Sequence, residues 1–248
     1  LTGNIAASVR RYPLCFALVG GENGVRELCE ALVRAGLGSV RVTVGERLSY
    51  PDERISTGIA AKMAEGRYAS LSAVLIENPG AKKVCPIGLP DESFQRGKGE
   101  DGLIPMTKSE VRAVAISRLA MTRDAICWDI GAGTGSVSVE MALLAEEGRV
   151  YAVEKKADAF ALLQENIKKF GAFNITAVEG SAPAALEALP APTHVFIGGS
   201  SGRLKDIIGA ALEKNPHARI VATAIALETV AELSSCMKEF SFTHKEAV

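Results

Sequence analysis

From about residue 107 to the end, the apolar positions alternate between short continuous runs and recurrences every three or four residues. "AICWDI" (125–130) and "RVYAVE" (149–154) have the length and composition of buried strands. After them, Phe160, Leu163 and Ile167 fall on one helical face, and Gly171 closes it. "NITAVEG" predicts a third strand, followed by a short helix from about 183. "HVFIGG" predicts a fourth, followed by a helix carrying Leu204, Ile207, Ile208 and Leu212. "RIVATA" and a helix over about 226–238 complete the series, and "SFTHKEAV" reads as the beginning of another strand. Ahead of the first strand, Thr107 and Glu110 have the spacing of a capping box, before a helix whose apolar face reads Val111, Val114, Ala115 and Leu119. Strands and helices alternating over short connections predict an open, mainly parallel, doubly wound sheet.

The first part of the chain also reads as α/β. "LCFALVGG" (14–21) suits a buried strand and its turn. Val25, Leu28, Cys29, Leu32 and Val33 predict a helix stopped by Gly36, and "SVRVTVG" alternates as a half-buried strand does. "YPDERISTG" reads as a loop leading to a short helix near 57–65, and "LSAVLIE" (71–77) as a strand. Periodicity is then lost in a stretch rich in Pro, Gly and charge. These patterns divide the chain into a first domain over 1–80, a linker over 81–105 and a second domain over 106–248.

Composition narrows the ligands more than the fold. With 28 Lys and Arg against 29 Asp and Glu, the net charge is −1. No overall field draws the chain to nucleic acid or an anionic membrane, so an anionic ligand has to be held locally. The five cysteines (15, 29, 85, 127 and 236) form no C-x-x-C pair and several lie in apolar runs, which fits reduced thiols in the cytoplasm. The isolated His194, His217 and His244 give no metal-ligand spacing, and no apolar span has the length of a membrane helix.

The chemistry concentrates in "WDIGAGTGSVSVE" (128–140), with glycines at 131, 133 and 135 directly after a strand. In a parallel sheet this turn faces the ligand crevice, and the helix that begins near Ser136 offers free N–H groups. A dinucleotide fingerprint, G-x-G-x-x-G, would need glycine where Ser136 stands. "DIGAGTG" fits the looser S-adenosylmethionine form, an acidic residue ending a strand and then G-x-G-x-G. Glu154 ends the next strand, where a carboxylate can accept ribose hydroxyls. The missing side chains are expected to leave room for the methionine end of the donor. Ser181 and Ala182 in "EGSAPAAL" are expected beside the adenine, and the small residues of "FIGGSSGRL" beside the substrate. A plain structural turn, a dinucleotide site, and a methyltransferase acting on RNA or protein are the competing readings. The missing basic stripe counts against RNA.

"PMTKSEVRA", "WDIGAGTGSVSVE", "VYAVEK", "VEGSAP" and "FIGGSSG" closely resemble the C-terminal half of the precorrin-6Y C5,15-methyltransferases (decarboxylating) of the cobalamin pathway. "VGERLSYPDERI", "AVLIEN" and "GLPDESFQRGK" resemble the end of that family's C5-methylating half. The resemblance implies a class I, Rossmann-like S-adenosylmethionine-dependent methyltransferase domain, preceded by a smaller α/β remnant of a tetrapyrrole-methylase domain. It also implies a cytoplasmic homo-oligomer acting on a small-molecule tetrapyrrole, with no nucleic-acid or membrane partner. The reaction implied is C15 methylation coupled to loss of the C12 acetate carboxyl. Matched to the family motif, Gly131, Ala132, Gly133, Thr134 and Gly135 would cradle the methionine moiety, Glu154 the ribose, and Ser181 and Ala182 the adenine side, while Thr107 matches a donor-contacting position. No catalytic base is assigned. Arg112, Arg203 and Lys205 are candidates, by position, for the substrate's carboxylates. The C5-methylating half and the closing strands of the C-terminal sheet are both expected to be incomplete, which also leaves a donor-binding but inactive fragment among the readings.

Overall fold

The computed structural model describes residues 5–81, 87–100 and 102–248. Cys85 and residues 82–86 and 101 of the linker expected over 81–105 lie outside them. The chain forms two compact units, residues 1–86 and residues 87–248, with the short stretch 167–174 grouping with the first.

The first unit begins with helix α1 (Ile5–Arg11) and runs through β1 (Leu14–Val19), α2 (Val25–Arg34), β2 (Arg41–Glu46), β3 (Arg54–Ile59), α3 (Ala60–Met63) and β4 (Ser72–Glu77). Its sheet, in the order β1-β4-β2-β3, is antiparallel throughout. Val42, Val44, Val74 and Ile76 point to one face, where they meet Leu28, Cys29 and Leu32 of α2. Two expectations change here. The "ERISTG" stretch read as a loop is β3, because it pairs residue for residue with β2. The "LCFALV" run is not buried on both sides. It forms an edge strand whose Leu14, Phe16 and Leu18 are exposed, since an antiparallel sheet buries one face only.

The second unit holds a two-stranded ribbon, β5 (Lys98–Gly99) with β6 (Gly102–Leu103), and then α4 (Ser109–Leu119), β7 (Ile126–Ile130), α5 (Ser136–Leu144), β8 (Arg149–Glu154), α6 (Ala157–Phe170), β9 (Ile175–Glu179), β10 (His194–Ile197), α7 (Leu204–Lys214), β11 (Arg219–Ala222) and α8 (Leu227–Glu239). The sheet order is β11-β10-β7-β8-β9, and all four pairings are parallel. Strand order reverses between β7 and β10, so the crevice of a doubly wound sheet opens at their carboxyl ends. The short helix expected from 183 is a single 3-10 turn, Ala184–Leu186. Residues 241–248 pair with no strand among the described residues. Phe240 and Phe242 pack instead on the core of α7 and α8. Among the described residues, no helix is long and apolar enough to cross a membrane.

The stretch expected as a linker over 81–105 sends three side chains into this unit. Leu89, Phe94 and Ile104 are buried, and Ile104 packs on Ala159 and Leu162 of α6. Helix α4 turns a different face inward from the one its valines indicate. Val111 and Val114 are about half exposed, while Arg112, Ala115, Ile116 and Leu119 are buried. That stripe has the i, i+3, i+4, i+7 spacing of a core face. Its first member is an arginine, which a hydrophobicity pattern skips. The capping box does not form either. Lys108 is the N-cap residue, with no side-chain capping bond.

Candidate active site

Strand β7 lies at the centre of the sheet, with Cys127, Trp128, Asp129 and Ile130 all buried. The chain then turns through Gly131, Gly133 and Gly135, at φ of +74°, +55° and +77°. These angles favour glycine on backbone grounds alone. The space beside each glycine is already filled by protein. A Cβ on Gly131 would lie 2.8 Å from both N and O of Gly199, one on Gly133 would lie 2.7 Å from the Pro105 carbonyl oxygen, and one on Gly135 would lie 2.3 Å from a Leu163 methyl. The glycines therefore serve close packing of the turn on the side where a Cβ would stand, while Gly131 also lines the cleft.

The turn's backbone is held from β8. The N–H groups of Gly131 and Ala132 donate to the Val153 carbonyl, and that of Gly133 donates to Glu154 Oε2 at 2.9 Å. Glu154 Oε1 accepts from the N–H groups of both Lys155 and Lys156, each at 2.9 Å. The carboxylate is buried and joins the glycine turn to the start of α6. A carboxylate offers about four acceptor positions, so one remains for a ligand hydroxyl.

Two oxygens, one on β7 and one on the turn, are left unsatisfied. Asp129 Oδ1 and Thr134 Oγ1 are buried and have no hydrogen-bond partner among the described residues. Buried polar atoms are nearly always paired, so an orphan pair at the junction of β7 and the glycine turn marks a place for a bound group. Asp129 Oδ2 accepts a short hydrogen bond from the Ser138 hydroxyl. Burial pushes the Asp129 carboxyl up to about 7, against the lowering effect of Ser138, and the nearby Glu154 charge adds to the rise. A folded-state value above the unfolded one means that the proton is held more tightly in the fold. The stability this gives is complete below about pH 4 and is lost as pH rises through 7. Asp129→Asn is therefore expected to gain stability relative to the parent on going from pH 5 to pH 8, by an amount on the order of 2–3 kcal/mol in urea unfolding. A gap independent of pH would count against a protonated Asp129.

The carboxyl ends of β7 to β10 surround a cleft of about 350 Å³, including its open mouth. Of the residues singled out from sequence, Gly131, Ser181 and Ala182 line it, together with Lys155 and Gly199 to Ser201. Ala132 to Gly135 and Glu154 form the buried wall of the turn behind it. Thr107 is half-buried and outside the lining; its carbonyl accepts from Arg112 Nη1.

The three cations proposed for substrate carboxylates are all engaged elsewhere. Arg112 is fully buried and is not among the residues that line the cleft. Its Nε donates to Glu140 Oε1 at 2.6 Å, Nη1 to Asp91 at 3.3 Å, Nη2 to the Leu89 carbonyl, and its guanidinium lies 4.8 Å from the centre of the Phe94 ring. Glu140 in turn accepts from the N–H groups of Gly88 and Leu89. Arg203 pairs with Asp206 and Lys205 with Glu239, both exposed. Sequence reasoning also passed over Asn166. This fully buried side chain accepts from Gln95 N–H at 2.7 Å and donates to the carbonyls of Gln95 and Thr134. It ties the 94–96 segment to the glycine turn, and a lone asparagine inside a helical pattern gives no such signal. Asn166→Leu is expected to lower stability by about 2 kcal/mol, because it strands buried donors and acceptors, which a thermal melt will show.

A doubly wound parallel sheet with a glycine turn after its central strand, an acidic residue ending the next strand and a cleft across the switch point defines a class I methyltransferase. A model of the precorrin methyltransferase domain matches residues 99–243. A probable cobalt-precorrin-6B C(15)-methyltransferase (decarboxylating) from Pyrobaculum calidifontis is 42% identical over 160 residues, covering 64% of this chain and 80% of that protein. A precorrin-6Y C(5,15)-methyltransferase [decarboxylating] from a Sinorhizobium species is 38% identical over 216 residues, covering 85% of this chain and 50% of that protein, so the chain spans about half of its length. The crystal structure of a precorrin-6y C5,15-methyltransferase from Geobacter metallireducens superimposes with a TM-score of 0.57 at 38% identity, over 62% of this chain and 81% of that one. The chain belongs to the precorrin methyltransferase family.

Proposed function

We propose that the second unit transfers the methyl group of S-adenosylmethionine to C15 of a precorrin and promotes loss of the C12 acetate carboxyl as carbon dioxide. The observation that carries this reading is the glycine turn and the strand before it, with their two orphaned oxygens, Asp129 Oδ1 and Thr134 Oγ1, beside the cleft at the carboxyl ends of β7 to β10. Bound there, the donor supplies an electrophilic methyl on a sulfonium.

The chain's own residues supply alignment and dryness. Asp129 and Thr134 present acceptors suited to an ammonium, Glu154 has acceptor capacity for ribose hydroxyls, and Ser181 and Ala182 wall the far side. Transfer to an electron-rich ring carbon needs in-line placement and excluded water more than a base. The first unit is proposed to be part of a C5-methylating domain. The likeness to the Sinorhizobium protein supports this, since 85% of the chain is more than the second unit holds. The protein is further proposed to work in the cytoplasm as a homo-oligomer on a small-molecule tetrapyrrole, without nucleic acid or membrane. The test is calorimetric titration with S-adenosylmethionine. Micromolar binding by the parent chain is expected, weakened at least tenfold in Glu154→Ala, which strips the Gly133 N–H of its acceptor. A folded parent chain that binds no donor would overturn the reading.

A further inference from the structure

A precorrin carries several carboxylates, and this nearly neutral chain has to meet them locally. Lys155 is the one charged residue among those that line the cleft in the described structure. It follows Glu154 at the end of β8, and its Nζ donates to the Ser201 hydroxyl at 2.9 Å, on the turn after β10. Both residues are exposed, so this contact spans the mouth of the cleft and not its floor. Among the described residues no carboxylate lies within ion-pair distance of Lys155. Arg112 has two, and Arg203 and Lys205 have one each. The neighbouring carboxylate, Glu154, is turned inward and accepts from three backbone N–H groups. The partner at Ser201 is neutral, so the ammonium charge over the cleft is uncompensated. Ser201 itself sits at φ +52°, and Gly202 follows at +74°. A non-glycine residue in the left-handed region holds the hydroxyl at the cleft mouth at a backbone cost.

We propose that Lys155, with the Ser201 hydroxyl beside it, is the subsite that binds a peripheral carboxylate of the tetrapyrrole and so sets how the ring enters the cleft. This rests on the functional reading above. The donor also has a carboxylate, but the unsatisfied groups of the glycine turn are acceptors that suit its ammonium, and they sit on β7 and the turn that follows it, whereas Lys155 is at the exposed mouth where a bulky ring must pass. A lysine ammonium held by a hydroxyl swings to a carboxylate with no desolvation of a competing ion pair, and the new bond is charge-assisted.

The experiment compares the parent chain with Lys155→Met and Lys155→Arg. It measures the calorimetric Kd for S-adenosylmethionine and the kinetics of tetrapyrrole methylation with a cobalt-free and a cobalt-containing precorrin. Lys155→Met is expected to raise the tetrapyrrole KM about tenfold or more, the loss of one charge-assisted bond, with kcat and the donor Kd nearly unchanged. Lys155→Arg is expected to restore most of the loss. The parent's KM is expected to rise with salt more steeply than that of Lys155→Met. A weakened donor Kd with unchanged tetrapyrrole KM would assign Lys155 to the donor's carboxylate and overturn the proposal. So would no change in either. A parent chain that binds the donor but neither binds nor methylates a precorrin would bring down the functional reading itself, and the subsite with it.

Discussion

Arg112→Met is expected to lower the unfolding free energy by about 3–5 kcal/mol, read as the midpoint shift in urea. Glu140 would be left as a buried carboxylate with only the N–H groups of Gly88 and Leu89 to hold it, and the carbonyls of Leu89 and Thr107 would lose their guanidinium donor. A loss of that size is a large share of an ordinary domain's stability. Donor binding is expected to weaken as well, because the same network fixes both ends of the 88–107 stretch, and the Pro105 carbonyl within it packs on Gly133. Changing both partners, Arg112→Met with Glu140→Leu, is expected to recover much of the loss, since it removes the uncompensated charge along with the pair. A single variant as stable as the parent would mean that the pair does not close the segment onto the sheet.

Gly131→Ala is expected to have the largest effect on the site. The added Cβ meets N, O and Cα of Gly199 within 2.9 Å, and these backbone atoms have no rotamer in which to retreat. The residue also has to keep φ at +74°. Left-handed strain of about 1–2 kcal/mol and overpacking of about 1–3 kcal/mol add at one position. Relief requires parting the neighbouring turns after β7 and β10, both of which line the cleft. Donor affinity is expected to fall a hundredfold or more in calorimetry, with a lower melting temperature. Gly202→Ala is the control. It also has positive φ, at +74°, but nothing lies near its added Cβ, so it is expected to keep donor binding.

The second unit was legible in the sequence because parallel strands buried on both faces write continuous apolar runs, and the β7–turn–α5 segment carries a spacing that few other structures need. The first unit was less so. In β1 an apolar run meant an edge strand with one open face, and β3 was too polar to stand out until β2 paired with it. The glycine turn was legible in the sequence, and so was the backbone freedom its glycines supply, but the close packing around them was not. Pro105, Leu163 and Gly199 come to it from distant parts of the chain, and spacing says nothing of such contacts. Arg112 was misplaced for a related reason. A buried arginine reads as a surface charge until Glu140, 28 residues away, is seen beneath it. Lys155 stands next to the acidic residue that the sequence reading did single out, yet only the fold brings Ser201 across to it.

The central claim is that this chain couples methyl transfer to decarboxylation in the β7–β10 cleft. The direct measurement is a single-turnover reaction of the purified chain with methyl-labelled S-adenosylmethionine and a precorrin, following label in the tetrapyrrole and carbon dioxide released. The account predicts both in equal amounts from the parent chain, and neither from Gly131→Ala. Label without carbon dioxide would separate methylation from decarboxylation. Donor bound tightly with no label transferred would contradict the claim for this chain.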